Sequence, residues 1–269
     1  MIQVHPGAVV HPSAALGKNV VIGPNCVVES NVSIEDGSIL DSNVVISKGV
    51  QIGSNNHFFP NCVIGCMPQI LGFDNNTKLG KLIIGNNNTF REQVTIHPSM
   101  HPDKSTIVGS GNLLMVGVHI GHDCLLEDKI VMSNHVQISG HCKIEKGVWF
   151  SGMASMHQFV TIGKWSYVAG LAGINHDIPP FVIVSGHYPP LVRSLNKRGM
   201  SRAGLNEEQQ EKLSEAFKKL YRTSNQTLLS RAKALAAEDG LDENVKAMTD
   251  IIIRSNEHRF GRYLETLRH

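Results

Sequence analysis

The sequence predicts a mainly β protein, a parallel β-helix of hexapeptide repeats followed by a small C-terminal α-helical domain. Apolar residues recur at every sixth position over about 170 residues, a period that is typical of a β-solenoid. Glycine, asparagine and aspartate collect between these positions, where tight turns need them. Near residue 180 the period of six ends, and the apolar spacing that follows is helical.

Each hexad supplies one apolar side chain to the interior, one short strand and one turn. Three hexads, or eighteen residues, make one triangular coil, and coils stack at the strand spacing of about 4.8 Å. Residues eighteen apart in an uninterrupted stretch therefore form columns. The apolar positions are Val4, Val10, Leu16, Ile22, Val28, Ile34, Leu40, Ile46, Ile52, Phe58, Ile64, Ile84, Phe90, Ile96, Val108, Leu114, Ile120, Leu126, Met132, Ile138, Ile144, Phe150, Met156, Ile162, Val168 and Ile174.

Two segments interrupt the repeat before it ends. The count from Ile64 to Ile84 exceeds three hexads by two residues, so we expect a loop at about 65–82. A segment with two histidines and two prolines at about 97–106 does not fit a hexad and should bulge as well. The β-helix is expected to fill residues 1–180, because Pro179 and Pro180 stop the pattern.

Residues 181–269 are expected to form a connector and a helical domain. Asn206 is a suitable N-cap for a helix at Glu207–Arg222. Two further helices are predicted at Thr227–Ala237 and Asp242–His258. A domain of this size must pack on the β-helix or on a neighbouring subunit to be stable.

Charge and cysteine content narrow the functional classes. The net charge of +2 argues neither for nor against nucleic acid, and nucleic acid is not among the partners we expect. Residues 181–269 hold 15 Lys/Arg against 11 Asp/Glu. Within them a basic run without an acid suits either a solvated loop or a site for phosphates or an acidic protein: Arg193, Lys197, Arg198 and Arg202. The five cysteines lack zinc-site spacing, and neither a secretion signal nor an apolar run of membrane length is present. We expect a cytoplasmic protein with reduced thiols and no stable membrane insertion.

Histidines cluster where the repeat is most regular. Column arithmetic brings four histidines and three other residues to one stripe: His119, His122, Asp123, Gly140, His141, His157 and Gln158. Histidine is the usual general base for a hydroxyl group, and an adjacent carboxylate supports it. Gly140 would offer a backbone N–H beside His122 to an oxyanion. Two alternatives stay open, because these residues could hydrogen-bond only within the stack, or His119, His122 and His141 could bind zinc.

Several motifs resemble those of one enzyme family. The stretch Gly111–Cys124 (GNLLMVGVHIGHDC) is very similar to the signature of the UDP-N-acetylglucosamine O-acyltransferases that begin lipid A synthesis. Further matches are Arg91–His97, Ser139–His141, Met156–Phe159, Asp177–Phe181 and Lys197–Ser201. The resemblance covers essentially the whole chain. It implies a left-handed parallel β-helix, assembled as a homotrimer with active sites between subunits.

The resemblance also implies an activity and roles for residues. The family transfers a 3-hydroxyacyl chain from acyl carrier protein to the 3-hydroxyl of UDP-N-acetylglucosamine, with no cofactor beyond the carrier-bound chain. It implies that His122 is the general base, Asp123 its supporting acid and Gly140 the oxyanion donor. Substrate-binding roles, without a metal, are implied for His119, His141, His157, Gln158, Gly170, Lys197 and Arg198. Gly170 matches the position that limits acyl length, and Arg198 matches an arginine near the nucleotide phosphates.

Two departures from the family pattern concern substrate recognition. The family commonly has Gln-Asp-Leu-Lys-Tyr where this chain has Gln69–Phe73 (QILGF), so Ile70 and Gly72 replace an aspartate and a lysine. Arg193 stands where a glutamate is common. Three rival functions therefore remain: an acyltransferase for another nucleotide sugar, such as a 3-amino sugar, a zinc enzyme of the γ-carbonic anhydrase type, and a non-catalytic solenoid. The basic tail domain suits acidic acyl carrier protein as a partner.

Overall fold

The computed structural model describes residues 1–72, 74, 77–222 and 226–267. It is a left-handed parallel β-helix with helices at its C-terminal end, which confirms the predicted fold class. Each coil contributes one short strand to each of three sheets, and these sheets are the three faces of a triangular solenoid. The described part of the chain contains no helix of the length and apolarity needed to cross a bilayer.

The three sheets are built from parallel strands of two to five residues, with one antiparallel strand at the end of the first sheet. The first sheet holds Gln3–Val4, Val21–Ile22, Ile39–Leu40, His57–Phe58, Thr89–Phe90, Leu113–Leu114, Val131–Met132, Trp149–Phe150, Tyr167–Val168, Val182–Ser185 and Leu191–Leu195. The second sheet holds Val9–Val10, Val27–Val28, Val45–Ile46, Val63–Ile64, Thr95–Ile96, His119–Ile120, Gln137–Ile138, Ser155–Met156 and Gly173–Ile174. The third sheet holds Ala15–Leu16, Ser33–Ile34, Gln51–Ile52, Lys81–Ile84, Ser105–Val108, Leu125–Leu126, Lys143–Ile144 and Thr161–Ile162.

The predicted columns are present, and they contain the core. Gln3 pairs with Val21, and His119 pairs with Gln137 and through it with Ser155, as a repeat of eighteen requires. The apolar hexad positions are buried from Ile22 onward. Val4, in the first coil, is 44% exposed. Burial of this ladder is the main source of stability of the β-helix.

The corners are formed by residues that adopt the left-handed backbone conformation. Asparagines dominate the first corners, as the sequence predicts, with φ of 57° at Asn19 and 58° at Asn25. In the later coils Asp123 and His141 take the same position, with φ of 60° and 61°. Polar and functional side chains therefore replace asparagine at the corner where the histidines cluster.

Two loops shift the register between coils. They occupy residues 65–80 and 97–104, so each ends about two residues earlier than expected, where the four-residue strands Lys81–Ile84 and Ser105–Val108 begin. Across the first loop, residues that face each other are 32 apart in sequence. Across the second loop the offset is 24. The rule of eighteen fails locally at these two places.

The sheet continues past the two prolines that were expected to end the repeat. Val182–Ser185 pairs in parallel with Tyr167–Val168, and Leu191–Leu195 then returns antiparallel to it. The hairpin connects the β-helix to the C-terminal helices. Because only its first strand follows the parallel pattern, the hairpin closes the end of the first sheet.

Among residues 197–222 and 226–267, the structure shows the three predicted helices and two further short ones. The helices are Lys197–Arg202, Glu207–Tyr221, Leu228–Ala236 and Glu243–Asn256, followed by a 3₁₀ helix at Tyr263–Leu267. Asn206, Thr227 and Asp242 cap the three predicted helices with their side chains. Lys197–Arg202 lies in the basic run that the sequence assigned to a connector.

Candidate active site

A histidine and an aspartate that are adjacent in sequence meet at one corner of the solenoid. His122 and Asp123 form the turn between the second and third sheets. Nδ1 of His122 lies 2.8 Å from Oδ2 of Asp123, and both side chains are almost completely buried. The left-handed backbone at Asp123 turns the chain so sharply that neighbouring side chains can touch. Because a carboxylate only accepts, Nδ1 carries the proton and Nε2 is left with a lone pair.

The loop at 97–104 holds the carboxylate of Asp123 in place. Ser99 Oγ donates to Oδ1, and the backbone N–H of Met100 donates to Oδ2 at 3.3 Å. The backbone N–H of Asp123 itself donates to Thr106 Oγ1 at 2.7 Å. Burial raises the pKa of Asp123, but the hydrogen bonds from His122 and Ser99 outweigh it and hold the pKa below its ordinary value. Asp123 is therefore an oriented carboxylate at neutral pH.

Gly140 packs against the imidazole of His122 from the next coil. A Cβ atom at Gly140 would lie 2.6 Å from Cε1 and 2.7 Å from Nε2 of His122. Only glycine leaves room for the ring in the position where it contacts Asp123. The structure thus brings the three predicted catalytic residues into direct contact.

His141 lies on the third-sheet side of this corner. Its Nδ1 is 3.9 Å from Asp123 Oδ2, and its ring meets that of His122 edge-on at 4.8 Å. The other face of the His141 ring stacks on Phe159 at 4.4 Å. A cavity of about 290 Å³ opens on this side, between the polar cluster and an apolar wall. That wall consists of Leu125, Phe159, Leu264 and Leu267.

His119 lies on the second-sheet side and is held neutral. Its Nδ1 is 2.8 Å from Thr95 Oγ1, and its ring lies edge-on to His97 at 5.2 Å. Burial, with smaller contributions from His97 and His122, lowers the pKa of His119 to about 4. His97 Nδ1 donates to the Cys66 carbonyl at 2.8 Å, and its buried Nε2 has no hydrogen-bond partner within the described residues. Two uncharged imidazoles therefore flank the His122–Asp123 pair.

The depressed pKa of His119 predicts acid sensitivity of the fold. The unfolded chain takes up a proton at His119 below its ordinary pKa of 6.5, whereas the folded protein does so only near 4. The contribution of His119 to the free energy of unfolding should therefore be complete above pH 6.5 and be lost as the pH drops towards 4. The loss from this group is at most about 3 kcal/mol. Thermal unfolding at pH 7 and 4.5 measures the effect. His119→Gln should reduce the difference between the two midpoints, whereas His11→Gln, at an exposed site, should not.

Comparison with known proteins identifies the family to which this geometry belongs. A family profile described as "Udp N-acetylglucosamine O-acyltransferase; Domain 2" matches residues 177–260. A protein of Anaeromyxobacter named acyl-[acyl-carrier-protein]–UDP-N-acetylglucosamine O-acyltransferase is 42% identical over 243 residues, 90% of this chain and 93% of that protein. The chain belongs to the UDP-N-acetylglucosamine O-acyltransferase family.

Other relatives agree with this assignment. A Synechocystis protein with the same name as the Anaeromyxobacter protein is 41% identical over 180 residues, which are 67% of this chain and 64% of that relative. The crystal structure of the Francisella novicida UDP-N-acetylglucosamine acyltransferase superposes with a TM-score of 0.86 at 32% identity, covering 97% of this chain and 93% of that one. The Campylobacter jejuni enzyme gives the same TM-score and identity, with coverage of 93% and 96%.

The other substrate-binding positions inferred from the O-acyltransferase family are distributed over the surface. His157 and Gln158 are exposed in the coil beyond Gly140, and His157 Nδ1 donates to the Gln158 carbonyl at 3.0 Å. Gly170 lies at a different corner, the turn between the first and second sheets. Lys197 and Arg198 are exposed and line a separate cavity of about 700 Å³. Within one chain, these last three do not join the His122 cluster.

Several residues of the site were not predicted from the sequence. Ser99, Met100 and Thr106 position Asp123, and His97 lies beside His119. The column rule missed them because the loop at 97–104 changes the local offset from eighteen to 24. Aligning the strand Thr95–Ile96 with the strand His119–Ile120 would have placed His97 next to the cluster.

The departures from the O-acyltransferase pattern lie away from the dyad. Leu71 in the first loop is fully exposed, beside Ile70 and Gly72, while Phe73 lies outside the described residues. Arg193 is exposed, and its Nε donates to Ser185 Oγ at 2.8 Å across the hairpin. Neither change touches His122 or Asp123. Among the described residues, the side chains whose metal-ligand atoms converge are His101, Asp123 and His141, a different set from the three histidines of the carbonic anhydrase hypothesis.

Proposed function

We propose that this protein transfers a 3-hydroxyacyl chain from acyl carrier protein to the 3-hydroxyl of UDP-N-acetylglucosamine, the first step of lipid A biosynthesis. Family membership supports the reaction class, since relatives at 41–42% identity carry this name. The observation that carries the mechanism is the buried His122–Asp123 pair, with Nδ1 of His122 2.8 Å from the carboxylate. This contact leaves Nε2 as a base on the side of Gly140.

The reaction follows from this geometry in two steps. Nε2 of His122 removes the proton of the sugar 3-hydroxyl while that oxygen attacks the thioester carbonyl. The Asp123 carboxylate stabilises the imidazolium that forms, and the Gly140 N–H donates to the oxyanion of the tetrahedral intermediate. Collapse of the intermediate breaks the carbon–sulfur bond, and the imidazolium returns the proton to the departing thiolate. The ester and the free carrier thiol leave with His122 neutral again.

Neutral imidazoles suit the recognition of an uncharged sugar. Because His119 is uncharged at neutral pH, it can exchange hydrogen bonds with hydroxyl and amide groups without repelling the imidazolium of His122. We assign His141, His157 and Gln158 to the same sugar and acyl surface. Lys197 and Arg198 supply positive charge for the diphosphate. Gly170 would leave the acyl groove open to a long chain.

The separation of these groups within one chain supports a site shared between subunits. Gly170 belongs to another corner of the solenoid, and apolar side chains are exposed beside it, Met153 at 60% and Leu171 at 70%. Apolar exposure of this kind is typical of an interface. We therefore propose a homotrimer in which the Gly170 corner of one subunit faces the His122 corner of the next.

The trimer predicts a specific response to a buried charge. Light scattering should give three times the chain mass, and Leu171→Asp should lower both the mass and the transferase rate, because the interface would have to bury an unpaired carboxylate. Ile107→Asp, at a 37% exposed position on the third sheet, is the matched control and should leave the mass unchanged. A fully active monomer would contradict the shared site.

The partners and the compartment complete the proposal. Acyl carrier protein is acidic, and the basic residues of the helical region would attract it. We propose that the chain works in the cytoplasm and that catalysis needs no cofactor beyond the carrier-bound acyl chain.

Mass spectrometry of a transfer assay tests the function. UDP-N-acetylglucosamine is offered with 3-hydroxyacyl carrier proteins of several chain lengths, and the expected product is the UDP-3-O-acyl sugar. The preferred donor reports the acyl length in the same run. If product formed only from a 3-amino nucleotide sugar, UDP-N-acetylglucosamine would be rejected as the acceptor. Recognition of the amino sugar would then be assigned to the altered first loop and Arg193. The absence of product from every acceptor would reject acyl transfer.

A further inference from the structure

We propose that the catalytic pocket contains a site for a zinc-class divalent cation, formed by His101, Asp123 and His141, and that the bound cation inhibits the enzyme. One ligand atom of each residue lies within 4.8 Å of the other two. His141 Nδ1 and Asp123 Oδ2 are 3.9 Å apart. Bonds of about 2.0–2.2 Å in a tetrahedral site place ligand atoms roughly 3.4 Å apart. Side-chain movements of about 0.5–1.4 Å would therefore bring the three ligand atoms to that separation.

The three side chains are suited to zinc in ligand type and in access. Asp123 supplies a carboxylate oxygen 3.9 Å from Nδ1 of His141, and zinc accepts this pair of ligand types. His101 and His141 are partly exposed towards the cavity of about 290 Å³, which leaves space for a water molecule as fourth ligand. His101 belongs to the loop at 97–104, where its backbone N–H donates to Ser99 Oγ at 3.0 Å. The loop that orients Asp123 thus also supplies the third ligand.

The surrounding charges and the types of ligand decide which metal fits. Lys143 lines the cavity, but it pairs with Glu145 at 3.1 Å and Glu127 at 3.4 Å, so its charge is balanced. Lys104 lines the same cavity and opposes a cation. Ions held by oxygen ligands alone, such as Mg²⁺ and Ca²⁺, are disfavoured here, whereas zinc and cobalt bind imidazole strongly.

Binding at this site would disable the catalytic pair. The cation would coordinate Oδ2 of Asp123, the atom that accepts the hydrogen bond from His122 Nδ1. His122 would lose the hydrogen bond that fixes its ring beside Gly140. The inhibition, unlike the binding, rests on the proposed function.

Binding can be measured without any substrate. Protein freed of metal is titrated with Co²⁺, whose visible absorption reports tetrahedral coordination by nitrogen and oxygen ligands. We expect one Co²⁺ per chain, and loss of a ligand in His101→Gln should weaken binding at least about 100-fold, since even outer-shell changes cost 10–100-fold. His11→Gln, in the N-terminal coil, should bind like the parent. Equal affinity in His101→Gln, or no binding by the parent, overturns the site.

Inhibition is then tested with Zn²⁺ in the transfer assay. The parent and His11→Gln should lose activity as the site fills, while His101→Gln should keep its own zinc-free rate when zinc is added. Equal inhibition of all three proteins would overturn the inhibitory role. A protein that binds Co²⁺ but transfers no acyl chain would keep the metal site and reject the proposed function, so the two failures are distinguishable.

Discussion

Replacing His122 with alanine should lower acyl transfer by about 10²–10⁴-fold, the range in which general bases contribute. Without the imidazole, nothing at Nε2 removes the proton of the attacking hydroxyl. The fold should survive, because the core is formed by the apolar ladder on either side, Ile120 and Leu126, which are completely buried. Asp123 should also stay oriented, since Ser99 and Met100 still donate to it.

The measurement is a rate of UDP-3-O-acyl sugar formation at saturating donor and acceptor, paired with circular dichroism and a thermal midpoint. His11→Ala is the control, because it removes an exposed imidazole from the N-terminal coil, far along the solenoid from His122 and Gly170. We expect it to keep both the rate and the midpoint. If His122→Ala retained near-parent turnover with an intact fold, the base would have to be another group.

Most of the fold could be predicted because the hexad repeat is a local and redundant signal. One apolar residue in six fixes the faces, and asparagines at positions such as Asn19 and Asn25 fix the corners. The hairpin of Val182–Ser185 and Leu191–Leu195 and the helix Lys197–Arg202 were missed. Both are short, and the tertiary structure stabilises them, since Asn196 caps the helix and also donates to the Trp165 carbonyl of the solenoid. Elements that depend on distant partners carry little signal in their own sequence.

In the candidate site too, the repeat predicts the proximity of some residues and not of others. His122, Gly140 and His141 could be brought together because the coils between them are regular. The resemblance implied that Asp123 supports His122, but the repeat alone does not give their contact, because it depends on how the corner at Asp123 turns the chain. The role of Ser99 could not be predicted either, since an inserted loop has no fixed period and reaches the site from outside the repeat. Regular spacing therefore predicts which residues are neighbours, but not how inserted segments orient them.

Adding one methyl group at Gly140 should disable the site almost as effectively as removing the base. The new Cβ would lie 2.6–2.7 Å from the His122 ring, closer than non-bonded carbon atoms approach, so the ring has to move. Its hydrogen bond to Asp123 and its edge-on contact with His141 resist that movement. A displacement of about 1 Å at a reacting group costs roughly 10²-fold in rate, which is the loss we expect for Gly140→Ala.

The loss should appear in the rate constant at saturating substrate, with little change in the thermal midpoint. His11→Ala, at an exposed site in the N-terminal coil, is the control for the midpoint. Similar midpoints in both variants, with a slow Gly140→Ala enzyme, would separate displacement of the ring from damage to the coil. A Gly140→Ala enzyme as fast as the parent would mean that the ring works from a position other than the one beside Asp123, and the proposed proton transfer through Nε2 would have to be abandoned.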